Sequence, residues 1–111
     1  IEPDHVLPPV LKAMSSGRRL GLIGPLEEQK DNLKLKFSPY GLNPRFAAAS
    51  PYSGSAEEFR QAAGQFKDQA DLIVLDCMGY TETHRELVAR YAGVPVVLSN
   101  ALIGKLVSEM V

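Results

Sequence analysis

Four short apolar runs, each followed by a stretch with helical spacing, limit what this chain can become. The runs are Leu20–Gly24, Arg45–Ala49, Leu72–Leu75 and Val94–Leu98. Each is too short for an ordinary helix and reads as a strand. The second is rich in alanine, a good helix former, but Pro44 and Pro51 bracket it and leave no room for a helix. Strands that alternate with helices through short connections mean a parallel sheet covered by helices. Right-handed crossovers then leave few topologies, and the simplest is an α/β, flavodoxin-like sheet of order 2-1-3-4 with helices on both faces.

The intervening segments carry their own start and stop signals. Pro8 and Pro9 can open a helix to about Ser15, with Val10, Leu11 and Met14 on one face and Gly17 beyond its end. Pro25 suits the first position of a helix running to about Ser38. Glu27 and Glu28 lie at its positive end, and Leu26, Lys30, Leu33 and Phe37 share a face. Pro39 and Gly41 stop it. Ser55 and Glu58 have the spacing of a capping box for a helix from Ala56 to about Gln69, with Phe59, Ala62, Ala63 and Phe66 inward. The next helix runs from Thr81 to Tyr91, with Leu87, Val88 and Tyr91 apolar and Gly93 as its cap. Pro95 places the fourth strand at an edge. Ser99 or Asn100 caps a last helix. Its stripe of Leu102, Ile103, Leu106, Val107 and Met110 is wide enough to dock in part on a partner half or a second copy.

Bulk properties narrow the function classes. The chain has 111 residues, 45% hydrophobic and 23% charged, which fits one globular domain. A net charge of −1 with scattered Lys and Arg argues against a nucleic-acid partner. No apolar run approaches the ~20 residues of a membrane span. One cysteine cannot close an internal disulfide, so a reducing, cytoplasmic setting is expected. Two histidines and one cysteine without ligand spacing predict no metal site. Gly21 and Gly24 lack the third spaced glycine of a dinucleotide fingerprint, so no cofactor is expected. Ile1 to His5 is acidic and proline-containing, unlike a signal peptide, and no initiator methionine precedes it.

Ligands of open parallel sheets bind outside the carboxyl ends of the strands. The loops expected there begin at Gly24-Pro25, Ser50-Pro51-Tyr52, Asp76-Cys77-Met78-Gly79-Tyr80-Thr81 and Ser99-Asn100. Each joins small or hydroxyl residues to a helix start, whose N–H groups favour anions such as carboxylates or phosphates. Cys77, directly after the third run, is the candidate for chemistry. A helix N-terminus lowers a thiol pKa from about 8.5 and enriches the thiolate. Asp76 opposes that if it points the same way. The bland alternative is an inert, buried cysteine. Around Cys77, Thr81 and the N–H groups near Gly79 can hold a carboxylate, Ser99 and Asn100 can reach it across the cleft, and Ser50 and Tyr52 can complete the rim. Each hydroxyl has a competing role as a cap or turn residue. His84 can support Cys77 or simply pack.

Leu75-Asp76-Cys77-Met78-Gly79-Tyr80-Thr81 resembles the signature of the AroM family. Gly24-Pro25-Leu26-Glu27-Glu28-Gln29, Ser50-Pro51-Tyr52 and Val94-Pro95-Val96-Val97-Leu98-Ser99-Asn100 support the resemblance, which covers nearly the whole chain. That family is similar in turn to the aspartate/glutamate/hydantoin racemase superfamily. The resemblance implies two flavodoxin-like halves facing each other, each with a cysteine at the cleft: one thiolate removes a proton α to a carboxylate or carbonyl, and the other thiol returns one to the opposite face. Cys77 matches the second-half cysteine. It follows that residues 1–111 form a single domain, the C-terminal half of a longer two-domain protein whose other half carries the second cysteine motif.

Two functions of different kinds are consistent with these residues. The first is cofactor-independent, cysteine-dependent isomerase or racemase chemistry on a small carboxylate. The second is a binding or regulatory module for a small anionic metabolite. A fragment inactive without its partner half is a third.

Overall fold

A computed structural model describes residues 9–12, 18–26, 28, 30–42, 44–52, 55–76 and 79–110. Within it the strands are β1 (Leu20–Gly24), β2 (Arg45–Ala48), β3 (Leu72–Leu75) and β4 (Val96–Leu98). The helices are α1 (Lys30–Phe37), α2 (Ala56–Phe66), α3 (Glu82–Ala92) and α4 (Ser99–Met110), with a 3-10 turn at Ser38–Tyr40 after α1 and a helical stretch over residues 9–12. All strand pairs are parallel and the order is β2-β1-β3-β4, as the alternation of apolar runs predicts.

The register explains why the runs are apolar throughout. Leu22 pairs with Phe46 and Val74, and Val74 with Val97; the next row is Ile23 with Ala47 and Leu75, and Leu75 with Leu98. Because side chains alternate across a strand, adjacent rows face opposite sides. The Ile23 row joins one hydrophobic cluster with Phe59, Ala62, Ala63, Phe66, Val88 and Ala92 of α2 and α3. The Leu22 row joins another with Leu11 and Phe37, against which Leu102 and Ile103 of α4 pack. Both faces are therefore covered, and no residue of β1 or β3 has a solvent side. Burying one such aromatic or aliphatic side chain contributes about 1.5–3 kcal/mol.

Several boundaries differ from the sequence reading. α1 begins at Lys30, five residues after Pro25. Leu26 is 52% exposed, so it does not supply the apolar contact that the sequence expects of it at the start of this helix. The acid in the first turn is Asp31. Pro39 sits in the 3-10 turn, and Gly41, at φ 75°, ends it. α2 stops at Phe66 because the chain must turn through Asp68, at φ 62°, to bury Ala70 and start β3. Tyr91 faces outward under Arg60, 5.5 Å from its ring, and Ala92 takes the buried place. β4 begins at Val96, since the Pro95 carbonyl already accepts from Ile73 N as the sheet starts. The sequence expectations for Met14, Gly17, Glu27 and Gln29 lie outside the described residues, as do those for the Leu106, Val107 and Met110 side chains.

Candidate functional site at the carboxyl end of the sheet

Beyond their strands, β2 and β3 continue in contact with β1: Ala49 N donates to the Gly24 carbonyl at 2.9 Å and Asp76 N to the Ile23 carbonyl at 3.0 Å. The segments after β2 and β3 are thus delivered in register to the same end. Cys77, the candidate for chemistry, and Met78 lie outside the described residues. Asp76 and Gly79 flank them.

On the β3 side, Asp76 is held by Lys36 of α1, Nζ to Oδ2 3.1 Å, with both side chains mostly buried. On the other side, Gly79 lies against the loop after β2. A Cβ built there would sit 2.7 Å from Tyr52 Cζ and 2.9 Å from Pro51 Cγ. Only a residue without Cβ lets these loops approach so closely.

Tyr80 is 1% exposed and its hydroxyl donates to the Ala49 carbonyl at 2.6 Å. This bond ties the loop after β3 to the end of β2. Its ring packs edge-on against Phe59 and His84, with centroids 5.9 Å away in each case. His84 stacks on Phe59 at 4.6 Å. Thr81 is the N-cap of α3, one residue earlier than a helical start, and its N–H donates to His84 Nδ1 at 2.9 Å. A backbone N–H can only donate, so Nδ1 is unprotonated and the neutral ring carries its proton on Nε2. Burial pushes the His84 pKa down, which favours that same neutral form.

Ser50 and Tyr52 form the facing rim. Ser50 Oγ accepts from Tyr52 N at 3.2 Å, so the hydroxyl closes a turn. Ser50 N donates to Glu58 Oε1 at 2.8 Å. Ser55 Oγ caps α2 through Glu58 N at 3.3 Å, as the spacing predicts, while the Glu58 carboxylate reaches across to the site loop. The Tyr52 side chain is 77% exposed. Ser99 and Asn100 start α4 at the end of β4. Ser99 is 6% exposed, a buried hydroxyl and not a rim group, and Asn100 Oδ1 accepts from Ala101 N at 2.9 Å.

The structure brings Gly79 against Tyr52 and Pro51, while Ser50 bonds within its own loop and Thr81 bonds to His84. It adds Lys36, Glu58 and Phe59, which sequence reasoning left out of the site, and it packs Tyr80, which the sequence allowed either to shield the cleft or to pack, in the interior. Lys36 is 40 positions from Asp76 and Tyr80 is 31 from Ala49, so no local spacing announces either pair. Among the described residues, no three His, Cys, Asp or Glu side chains are grouped as a metal site would need, and no helix is long and apolar enough to cross a membrane.

A four-stranded parallel sheet of order β2-β1-β3-β4 with helices on both faces defines a flavodoxin-like α/β unit. The chain belongs to the AroM family: the family description "AroM protein" matches residues 1–111. Among solved structures it is similar to the crystal structure of arylmalonate decarboxylase. The TM-score is 0.60 at 22% identity, over 84% of this chain and 44% of that one. The chain thus spans less than half the length of that protein, and the likeness is one of fold. No curated protein matches in sequence.

Proposed function

We propose that Cys77 is a general acid/base in cofactor-independent chemistry at the carbon next to a small carboxylate, in the manner of an isomerase or racemase. The observation that supports this best is the seam at Gly79. The loops after β2 and β3 close on each other two residues beyond Cys77 in the chain, at the sheet end where α/β folds bind ligands. In this reading the Cys77 thiolate takes the proton α to the carboxylate and the thiol can return it. The Thr81 and Gly79 region and the Ser50–Tyr52 rim orient the substrate. Ser99, buried at the start of α4, and Asn100 shape the far wall.

Lys36 supports the chemistry by compensating Asp76, so that the anion beside Cys77 in the chain is already paired. The shared fold and the 44% coverage of arylmalonate decarboxylase favour a second wall to the cleft. In the proposal this chain is the C-terminal half of a two-half protein working in the cytoplasm, and the other wall comes from the remaining half or from a second copy. The competing reading is a module that binds a small anionic metabolite without turnover.

Deuterium exchange at the α-carbon of small carboxylates separates the two. The enzyme reading expects exchange with the wild type and none with Cys77→Ser, while the carboxylate still raises the melting temperature of the variant. Binding by both proteins with exchange by neither would overturn it.

A further inference from the structure

We propose that the outer edge of β2 binds the phosphate group of a small molecule, through Lys30, Arg45, Gln65 and the Phe46 N–H. Arg45 is the first residue of β2, so this place lies at the other end of the strand from Ser50 and Tyr52. It needs nothing from the reading of Cys77.

A groove of about 280 Å³ opens there, lined by Lys30 of α1, Arg45 and Phe46 of β2, and Gln65 and Phe66 of α2. The sheet ends at β2, which pairs with β1 alone. Ala49 N turns toward β1, to the Gly24 carbonyl. Backbone groups alternate sides along a strand, so Ala47 and Arg45 turn theirs the same way and the Phe46 N–H faces the open edge. Sheet edges form anion-binding concavities in this manner.

The side chains around that N–H carry charge of one sign. Arg19, Lys36, Arg60, Arg85 and Lys105 each pair with an acid. Among the described residues, Lys30 and Arg45 have no such partner, and no Asp or Glu lines the groove.

Two cations with an amide and an N–H call for a compact dianion. A phosphate meets the Arg45 fork with two oxygens and leaves a third for the Lys30 ammonium, whereas one carboxylate answers only one of the charges. The wall is apolar where half-buried Phe46 and buried Phe66 stand, which suits a short carbon stem. The volume is below the ~300–1,000 Å³ of pockets for drug-sized ligands, so the ligand is a phosphate with few further atoms.

The competing account is edge protection. Charged side chains and proline on an edge strand keep other strands away, and Pro44 precedes Arg45. Protection needs charge alone and no ligand.

The test titrates the isotope-labelled chain with inorganic phosphate, glycerol phosphate or acetate, at constant ionic strength and about pH 7.5, where phosphate is mostly dianionic. Amide NMR should show the Phe46 N–H and the Arg45 Nε–H shifting together and saturably with both phosphates, and only weakly with acetate. Tighter binding of glycerol phosphate would make the natural ligand an ester, and equal binding would make it free phosphate; both sustain the site. Arg45→Gln and Lys30→Gln should fold as the wild type does, since neither side chain is buried. Each should weaken phosphate binding about tenfold, the low end of what one charge-assisted bond is worth. Shifts that never saturate, acetate binding as tight as phosphate, or unchanged affinity in both variants would overturn the proposal. Variants that self-associate while the wild type ignores phosphate would overturn it in favour of edge protection. If either variant does not fold, the contrast between phosphate and acetate in the wild type decides.

Discussion

The two ends of the sheet are both fastened by polar bonds, but to different effect. Where the strands begin, Arg19 grips Asp71 through backbone N, Nε and Nη2 at 2.8–3.2 Å and holds the Asp68 carbonyl at 2.8 Å. The Arg19–Asp71 pair raises the pKa of the guanidinium and lowers that of the carboxyl, yet both side chains stand in water, 57% and 41% exposed. Where the strands finish, the bonds are better shielded: Tyr80 to Ala49, Glu58 to Ser50, and Lys36 to Asp76. A bond in solvent exchanges readily with water, whereas a shielded one fixes position because breaking it strands a buried group. The beginning of the sheet is tied, and the end of it is placed.

Substitutions can break this contrast, and the largest effect belongs to Phe59. It lies beneath both Tyr80 and His84 and is 1% exposed. Phe59→Ala should cost about 3–5 kcal/mol in denaturant unfolding and loosen both rings. Lys36→Met comes next, because it leaves Asp76 without its cation in a mostly buried setting. With some solvent screening the expected loss is about 1–3 kcal/mol, and adding Asp76→Asn should recover most of it. Failure of that recovery would mean that Lys36 acts mainly by packing its stem. Tyr80→Phe removes one buried bond to the Ala49 carbonyl and should cost about 1–2 kcal/mol in the same assay.

Acid tests the two ends in turn. The His84 pKa is depressed in the folded chain, so its contribution is complete above 6.5 and is lost as pH falls through the folded value. The Asp71 pKa is also depressed, and its contribution is present above 3.8 and lost at still lower pH. Melting temperature should therefore begin to fall on the acid side of 6.5 in the wild type and not in H84Q. The smallest effect belongs to Asp71→Asn at neutral pH, a slight drop in melting temperature that high salt erases.

The fold was legible in the sequence because the central strands β1 and β3 are buried on both faces, so their apolar runs are uninterrupted, and the order of the sheet follows from handedness. Helix limits were less legible where tertiary path overrides local preference. Pro25 permits a helix, but Leu26 stays half exposed; Tyr91 is apolar enough for the core, but Ala92 is what fits there. In the site, hydroxyls were easy to nominate and harder to assign. Ser50 Oγ closes a turn, because the same chemistry that binds a ligand also satisfies a nearby backbone, and Ser99 is buried. Glu58 reads as half of a capping box, and its carboxylate bonds Ser50 N in the loop that leads into its own helix, whereas Lys36–Asp76 and Tyr80–Ala49 span 40 and 31 positions. Contacts of that kind join residues on different elements and leave no periodic trace.

The central claim concerns a thiol whose flanks are defined by Lys36, Asp76, Gly79 and Tyr52. The most direct test is the pH dependence of Cys77 alkylation by iodoacetamide in the full chain. The account predicts a midpoint below the ~8.5 of a free cysteine, from a thiolate favoured by the start of α3 and by an Asp76 already paired. A midpoint at or above that value would contradict it and leave Cys77 an ordinary thiol.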